Sequence, residues 1–533
     1  MAKRRTIGRN ALIIGAVAAC SLPVAALATG WMDWGQSHQT DTEKRSERLF
    51  GIGSPLQATA TPSLGARGAG SVALAGGLKA EVVTDKTAQD GDMIAFWPTD
   101  TNPEWAILCV EDGATAPGVQ RVKLTGADKG KVETILTGTV SCDGIRRTAW
   151  GTILATEEVS DGWALEIYKP LETAGVTLTR ADVKDAAGNV TKKAGVAGGT
   201  NPQNVVPRPA LGRFAWEGLA TFADGTVISG DELRPTGRKN GGAIFKFVTS
   251  STAKADATTP ANSPYAKGDL YALEVGIGDV GQGTQLGKGK WVGPIDAAKA
   301  RDEGIAKGTG YYRPEDLHQD PAAEAQGRKR VCWTNTNRSV LRNYGEVMCL
   351  EDRKYENDLV LRRANPAQPI TNFKTGTVPE VQLFVAGNPR MSQFDNLEFQ
   401  PKTGVVYVIE DTPVIGGKEY PGDVWACLPD GADRDLLTDG CVLALSVKTG
   451  DYPSPARYGA MGEQVIDSAE PTGFIFDASG EKAYLNIQHS PDNPATPTVD
   501  ESKTDEMLVI SGFNPDKVTH EGADGGLYDF NNR

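Results

Sequence analysis

Histidine is scarce in this chain: there are four in 533 residues, and one of them, His38, lies near the N-terminus. So few imidazoles leave little material for a His-based zinc centre or a Ser-His-Asp triad. H-E-x-x-H, G-x-S-x-G, P-loop and C-x-x-C patterns are also missing. Clustered cations are lacking as well, with 55 Lys and Arg against 68 Asp and Glu and a formal net charge of -13. Nothing here can neutralise a run of phosphates, which excludes nucleic acid as a partner. Bound cations are easier partners for such a chain, because carboxylates are hard oxygen ligands. Apolar stretches are short. The first, Ala11 to Cys20, is too brief and too interrupted for a comfortable membrane span.

That first stretch belongs to an address label. "MAKRRTIGRNALIIGAVAACSLPVAALATG" has a basic start, an apolar middle and a small-residue run to Ala28. Arg4-Arg5 followed by Thr6-Ile7-Gly8-Arg9 resembles the bacterial twin-arginine export signal, which passes folded proteins. Cleavage near Ala28 competes with a lipoprotein-like box at Cys20 and with an uncleaved anchor. Apolar character continuing past Cys20 favours Ala28. The chain then reads as a signal peptide over 1–28, an extended polar lead-in over 29–74 and one domain over 75–533.

Six cysteines lie beyond the signal. Cys332 and Cys349 sit on neighbouring strand-like runs, as do Cys427 and Cys441; each pair is either a disulfide across adjacent strands or two buried thiols. Cys109 and Cys142 have no obvious partner.

From about residue 75 to 515, runs such as "EWAILCVED", "TAWGTILATEE", "GVVYVIED" and "KAYLNIQHS" alternate with Gly/Asp/Asn/Pro turns. Helical patterns are few, the best being "PIDAAKARDEGIAKG". Many antiparallel pairs over more than 400 residues exceed one sandwich, and the pattern predicts an all-β fold, a β-propeller of about six blades with insertions. Two sandwich domains are the alternative. "GIGDVG" places Gly276, Gly278 and Gly281 as in a dinucleotide fingerprint, but loop sequence rather than a helix follows, which favours a Gly-rich turn.

The acids recur where runs meet loops: Glu157 and Glu158, Glu217, Asp231 and Glu232, Glu315 and Asp316, Asp395, Glu410 and Asp411, Glu470. In a propeller such positions line one face or the central channel, so carboxylates from separate blades converge. A converged cluster repels itself unless cations occupy it. Any single member, taken alone, reads better as a turn or cap carboxylate facing water; the persuasive feature is the set. Cys142 offers a thiolate suited to iron or zinc rather than calcium, or a plain buried cysteine. Arg313, before Pro314-Glu315, is either a fork for a phosphate or carboxylate group or an ion pair with a neighbouring acid.

These segments also have a family likeness. "CDGIRRTAWGTILATEE" resembles the C-x-G…T-P-W-G-T-W…E-E block of the PhoX-type alkaline phosphatases, a twin-arginine-exported bacterial family. "GRFAWEGLATFADGTVISGDE", "GAIFKFV", "YYRPEDL", "FDNLEFQPKTGVVYVIED" and "EPTGFIFDASGEKAYLNIQHS" resemble its further blocks, in order, over roughly residues 75–500. The resemblance implies a propeller with an axial ferric pair and calcium ions that hydrolyses phosphate monoesters. It implies Cys142 as a thiolate ligand of the iron pair, Glu217 as an iron carboxylate, Glu315 as a metal ligand and Arg313 as the phosphate-binding group. Glu157, Glu158, Asp231 and Glu470 follow as ligands or their supports. Trp216 stands where the family has histidine, Ala149 where it has proline, and no lysine closer than Lys131 precedes Cys142.

The expected partners are small phosphorylated substrates and the twin-arginine export machinery, for a monomer of the periplasm or cell exterior, with lipid on Cys20 as a further option. A calcium-dependent hydrolase of lactones or phosphotriesters, and a non-catalytic ligand-binding propeller, are the competing readings.

Overall fold

Runs of Val, Ile, Leu and aromatic residues, each too short to bury itself alone, pair with their chain neighbours into six antiparallel-dominated sheets of four to six strands. In this computed structural model the described residues are 39–519 except 62–65, 185–189, 237–239, 252–258, 277–279, 337–342, 355–374, 412–413, 416–417, 420–421, 431–435, 449, 452–466 and 491–503. The signal sequence and Gly278 therefore lie outside the described residues. The helix read from "PIDAAKARDEGIAKG" is present as Ala300–Lys307, preceded by a 3-10 turn at Ala297–Lys299.

The six sheets are propeller blades. Their inner strands are Gly91–Trp97, Cys142–Arg147, Trp216–Thr221, Pro314–Gln319, Phe394–Phe399 and Glu470–Phe476, and each touches the next, the last returning to the first. The sixth blade takes its outer strand, Lys79–Ala88, from the N-terminal side, paired with Thr504–Ser511. That exchange clasps the ring, so no blade is left with an open seam. The lead-in is used rather than merely extended. Leu49, Phe50 and Ile52 are buried in the core shared by the fifth and sixth blades, and Val72–Leu74 adds an edge strand to the fifth.

All six inner strands carry the same one-residue bulge. Pairing with the second strand shifts between Gly91 and Ile94, Cys142 and Ile145, Trp216 and Leu219, Pro314 and Leu317, Phe394 and Leu397, and Thr472 and Ile475. A bulge bends its strand and re-aims the side chains inside it. The first bulged residue is Asp92, Asp143, Glu217, Glu315 and Asp395 in blades one to five, and Gly473 in the sixth.

The second bulged residue makes the joint between blades. Asp316 Oδ2 accepts the Leu397 N–H at 3.2 Å, and Asn396 Oδ1 accepts that of Gly473 at 3.0 Å. At Gly144 and Gly218 the next strand lies closer still: a Cβ on Gly218 would stand 1.7 Å from the Leu317 nitrogen. Gly218→Ala is therefore expected to cost about 3 kcal/mol or more by forcing two inner strands apart. The urea unfolding midpoint measures this, and a change within the range of a surface substitution would refute the tight joint.

All three cysteine pairs are disulfides. Cys332–Cys349 and Cys427–Cys441 cross adjacent strands in register, as the spacing allowed. Cys109 and Cys142, which seemed partnerless in sequence because they sit in different blades, are joined to each other.

Candidate metal centre

Five bulges aim carboxylates at the axis, and a second set joins them from the strand ends. The second strand of a blade closes on a residue that faces the loop, and the next residue faces the channel, as alternation along a strand requires. Glu111, Glu158, Glu232 and Asp411 occupy that next position. Each is anchored by its own N–H to a carbonyl just before an inner strand, on Asp90, Ser141, Ala215 and Gln393 at 2.7–3.0 Å.

Three triads of ligand oxygens result, each within 4.8 Å: Asp92–Glu111–Asp143, Asp143–Glu158–Glu217 and Glu217–Glu315–Asp395. Asp143 and Glu217 are shared, so the triads form a continuous row. One buried oxygen on each of Asp92, Asp143 and Glu217 has no hydrogen-bond partner among the described residues. Burial, and then neighbouring acids, push these groups toward protonation. Glu111 rises to about 8 through burial and Asp92, and Glu158 to about 10 through burial and Glu111. Burial takes Asp395 to about 7. Asp92, Asp143, Glu217, Glu315 and Glu470 are also raised well above the ordinary carboxylate value, burial being the largest cause in each. Glu470 enters the set through Asp395, with which it shares a hydrogen bond.

Arg313 is the cation held within this set. It occupies the repeat position just before the inner strand, in left-handed backbone at φ 47° as are Asp90, Ser141 and Gln393. Its guanidinium contacts Glu232 and lies 3.1 Å from Glu315. Burial opposes its charge, but Glu315 and Glu232 hold it firmly protonated. Three residues further along the inner strands lies a floor: Arg146 meets Asp316 at 2.8 Å, and His318 stands 3.1 Å from both Asp316 and Glu398.

Among the residues singled out in sequence, Glu158, Glu217, Glu315, Glu470 and Arg313 are brought together. Glu157 and Asp231 are not. Glu157 accepts the N–H groups of Val140 and Trp163 and pairs with Arg180 at 2.6 Å. Asp231 accepts the Ala215 N–H and pairs with Arg301 at 2.8 Å. Both face away from the channel because each precedes its channel-facing neighbour by one residue; they brace the loops that enter the inner strands. Cys142 brings no thiolate to the acids, since its sulfur is bonded to Cys109. Trp216, at the family's histidine position, is buried against Phe214 with ring centroids 4.1 Å apart. The Trp-Gly-Thr element is a brace as well: Trp150 Nε1 and Thr152 Oγ1 both donate to buried Glu166, which also pairs with Arg208.

Sequence reading missed Asp92, Glu111 and Asp143. For Asp92 and Asp143 the signal was an acid, one residue, then Ile or Leu: Asp92-Met93-Ile94, Asp143-Gly144-Ile145, Glu217-Gly218-Leu219, Glu315-Asp316-Leu317 and Asp395-Asn396-Leu397; for Glu111 it was an acid directly after a strand run. Insertions of unequal length between the copies hide the period.

Residues 112–491 match the family model described as alkaline phosphatase PhoX. Among solved structures, the chain is similar to Pseudomonas fluorescens PhoX in complex with vanadate, a transition state analogue. The identity is 15%, the TM-score 0.54, and the match covers 90% of this chain and 100% of that one. Weaker likenesses include a PQQ-bound aldose sugar dehydrogenase from Streptomyces coelicolor, with 11% identity, TM-score 0.36, and 81% and 98% of the two chains covered. A gluconolactonase from Xanthomonas campestris has 11% identity, TM-score 0.32, and 86% and 97% covered. Neither of these two carries a functional argument. No curated protein matches the chain in sequence.

Proposed function

The chain belongs to the alkaline phosphatase PhoX family, and from that premise we propose that it is an exported, metal-dependent phosphatase acting on phosphate monoesters at the axial carboxylates. The observation that carries this reading is the row of three carboxylate triads ending beside Arg313. A purely structural acid cluster would hydrogen-bond its buried oxygens; here Asp92, Asp143 and Glu217 each keep one without a partner among the described residues. Such a donor set fits hard cations, and ferric iron and calcium are both of that kind. With the Cys109–Cys142 disulfide intact, the donors are all oxygen.

In this proposal Glu217, shared by two triads, and Glu158, Glu315, Asp143, Asp92 and Asp395 hold the ions. When bound, these supply Lewis acidity toward the phosphoryl oxygens. Arg313 orients the phosphate by turning one arm of its fork from Glu315, while Glu232 keeps the other in place. Arg146, His318, Asp316 and Glu398 close the floor, so that substrate enters from the opposite face.

Small phosphate esters are the proposed substrates, the twin-arginine machinery the export partner, and a monomer of the periplasm or cell exterior the working form. No described helix is long and apolar enough to cross a membrane. Metal analysis of protein purified through its own export route, together with hydrolysis of p-nitrophenyl phosphate, tests the reading. Iron and calcium with turnover support it; a metal-loaded protein that neither hydrolyses the ester nor binds phosphate would overturn it.

Arg313→Ala is expected to raise KM and the inhibition constant of free phosphate about 10- to 100-fold, the worth of a charge-assisted pair, while metal content stays put. Arg313→Lys should restore little, because the ammonium lacks the fork. Unchanged phosphate inhibition in Arg313→Ala would remove Arg313 from the substrate site.

A further inference from the structure

A cleft of about 360 Å³ opens along the outer strands of the second blade, where the chain passes toward the third, lined by Trp163, Ala194, Pro207, Gly212 and Arg213 among others. It lies at the same strand ends as the acids. Trp163 is five residues beyond Glu158, its backbone N–H donates to Glu157 at 2.9 Å, and Arg213 lies three residues before the strand that carries Glu217. Trp163 opens the third strand of its blade, about two strand spacings or roughly 10 Å from the inner one.

The five arginines around this mouth are not equivalent. Arg180 pairs with Glu157 and Asp161, Arg208 with Glu166, Arg301 with Asp231, and Arg313 with Glu232 and Glu315. Arg213 has no carboxylate partner among the described residues and lies 4.3 Å over the Trp163 ring. Its backbone is held on both sides, by the Ala297 carbonyl and the Arg301 N–H. A guanidinium stacked on an indole keeps its in-plane donors free for an anion. The buried indole N–H of Trp163 also has no partner among the described residues. An apolar cleft with an uncommitted cation stacked on its indole wall, in a chain of net charge -13, selects a planar ligand bearing an anionic group.

We propose that this cleft is the leaving-group subsite, taking the ring of an aryl phosphate ester whose far end carries a carboxylate, with the ring beside the Trp163–Arg213 stack and the carboxylate on Arg213. The inference rests on the phosphatase reading for its catalytic meaning, but the binding itself does not.

The test compares kcat/KM for 4-carboxyphenyl phosphate with that for phenyl phosphate. The wild type should prefer the carboxylated ester, mainly through KM. Arg213→Gln should lower the preference about tenfold, Arg213→Lys should recover part of it, and Trp163→Leu should weaken both aryl esters relative to glycerol 2-phosphate. An equal fall for all esters in Arg213→Gln, or a wild type without preference, would overturn the subsite. Benzoate quenching of indole fluorescence separates the two readings. If no ester is hydrolysed yet benzoate binds in an Arg213-dependent way, the subsite stands and the phosphatase reading fails. Benzoate binding that Arg213→Gln leaves unchanged overturns the subsite.

Discussion

Glu217→Gln is expected to lower kcat/KM on p-nitrophenyl phosphate by about 10³-fold or more, the scale of losing an electrostatic element of a preorganised site. Glu217 is shared by the second and third triads, and its unpartnered oxygen is buried between Asp143 and Glu315. Glutamine keeps the shape and removes the charge, so the row of cation positions is cut in the middle. Metal content should fall with activity. The metal-free variant should nonetheless melt higher than the metal-free wild type, because one buried, repelled carboxylate is gone. That opposite pair of signs separates a ligand from a packing residue. A variant with full metal content and turnover would sink the assignment of Glu217.

Metal removal is expected to make the protein's stability fall steeply with rising pH. The linkage runs in one direction: these carboxyl groups have folded pKa values raised above those of the unfolded chain. Below the unfolded values, near pH 4, both states are protonated and the cluster costs little. As pH rises the unfolded chain releases protons that the fold retains, and stability drains away through about 7 for Asp395, about 8 for Glu111 and about 10 for Glu158. A tenfold difference in proton affinity between the folded and unfolded chain is worth about 1.4 kcal/mol. Several such differences together approach the whole stability of a typical domain, about 5–15 kcal/mol. Chelated protein should lose about 5–10 °C of Tm between pH 5 and pH 9. Added calcium should restore more at pH 9 than at pH 5, since only ionised carboxylates bind it. Calorimetry on chelated and reloaded protein measures this. A chelated Tm independent of pH would mean that the acids do not face one another.

Much of this was legible in the chain. The all-β class followed from short apolar runs between turn residues, and the convergence of acids followed from their place at strand ends. What remained hidden was which member of each acidic pair faces the axis. In "TEE" Glu157 and Glu158 are chemically identical, yet one braces a loop and the other joins a triad. The difference is a single step along the strand, set by a register that the residues do not announce. Asp92 and Asp143 stayed hidden because a bulge, not residue type, turns them inward. The Cys109–Cys142 bond was invisible because sequence proximity pairs strands within a blade, whereas this bond crosses from one blade to the next.

Composition and local pattern by themselves determined that the chain would be a strand-built protein, rich in acid and poor in histidine. These properties follow from residue type alone, through propensity and charge. Tertiary structure alone decided that blades separated by unequal insertions place five equivalent acids on one axis, that Arg313 stands at their end and that Arg213 is left over at the rim. Ring closure is a long-range event: position 92 meets position 143 only after each blade has packed on the next, and no local rule reads across that distance.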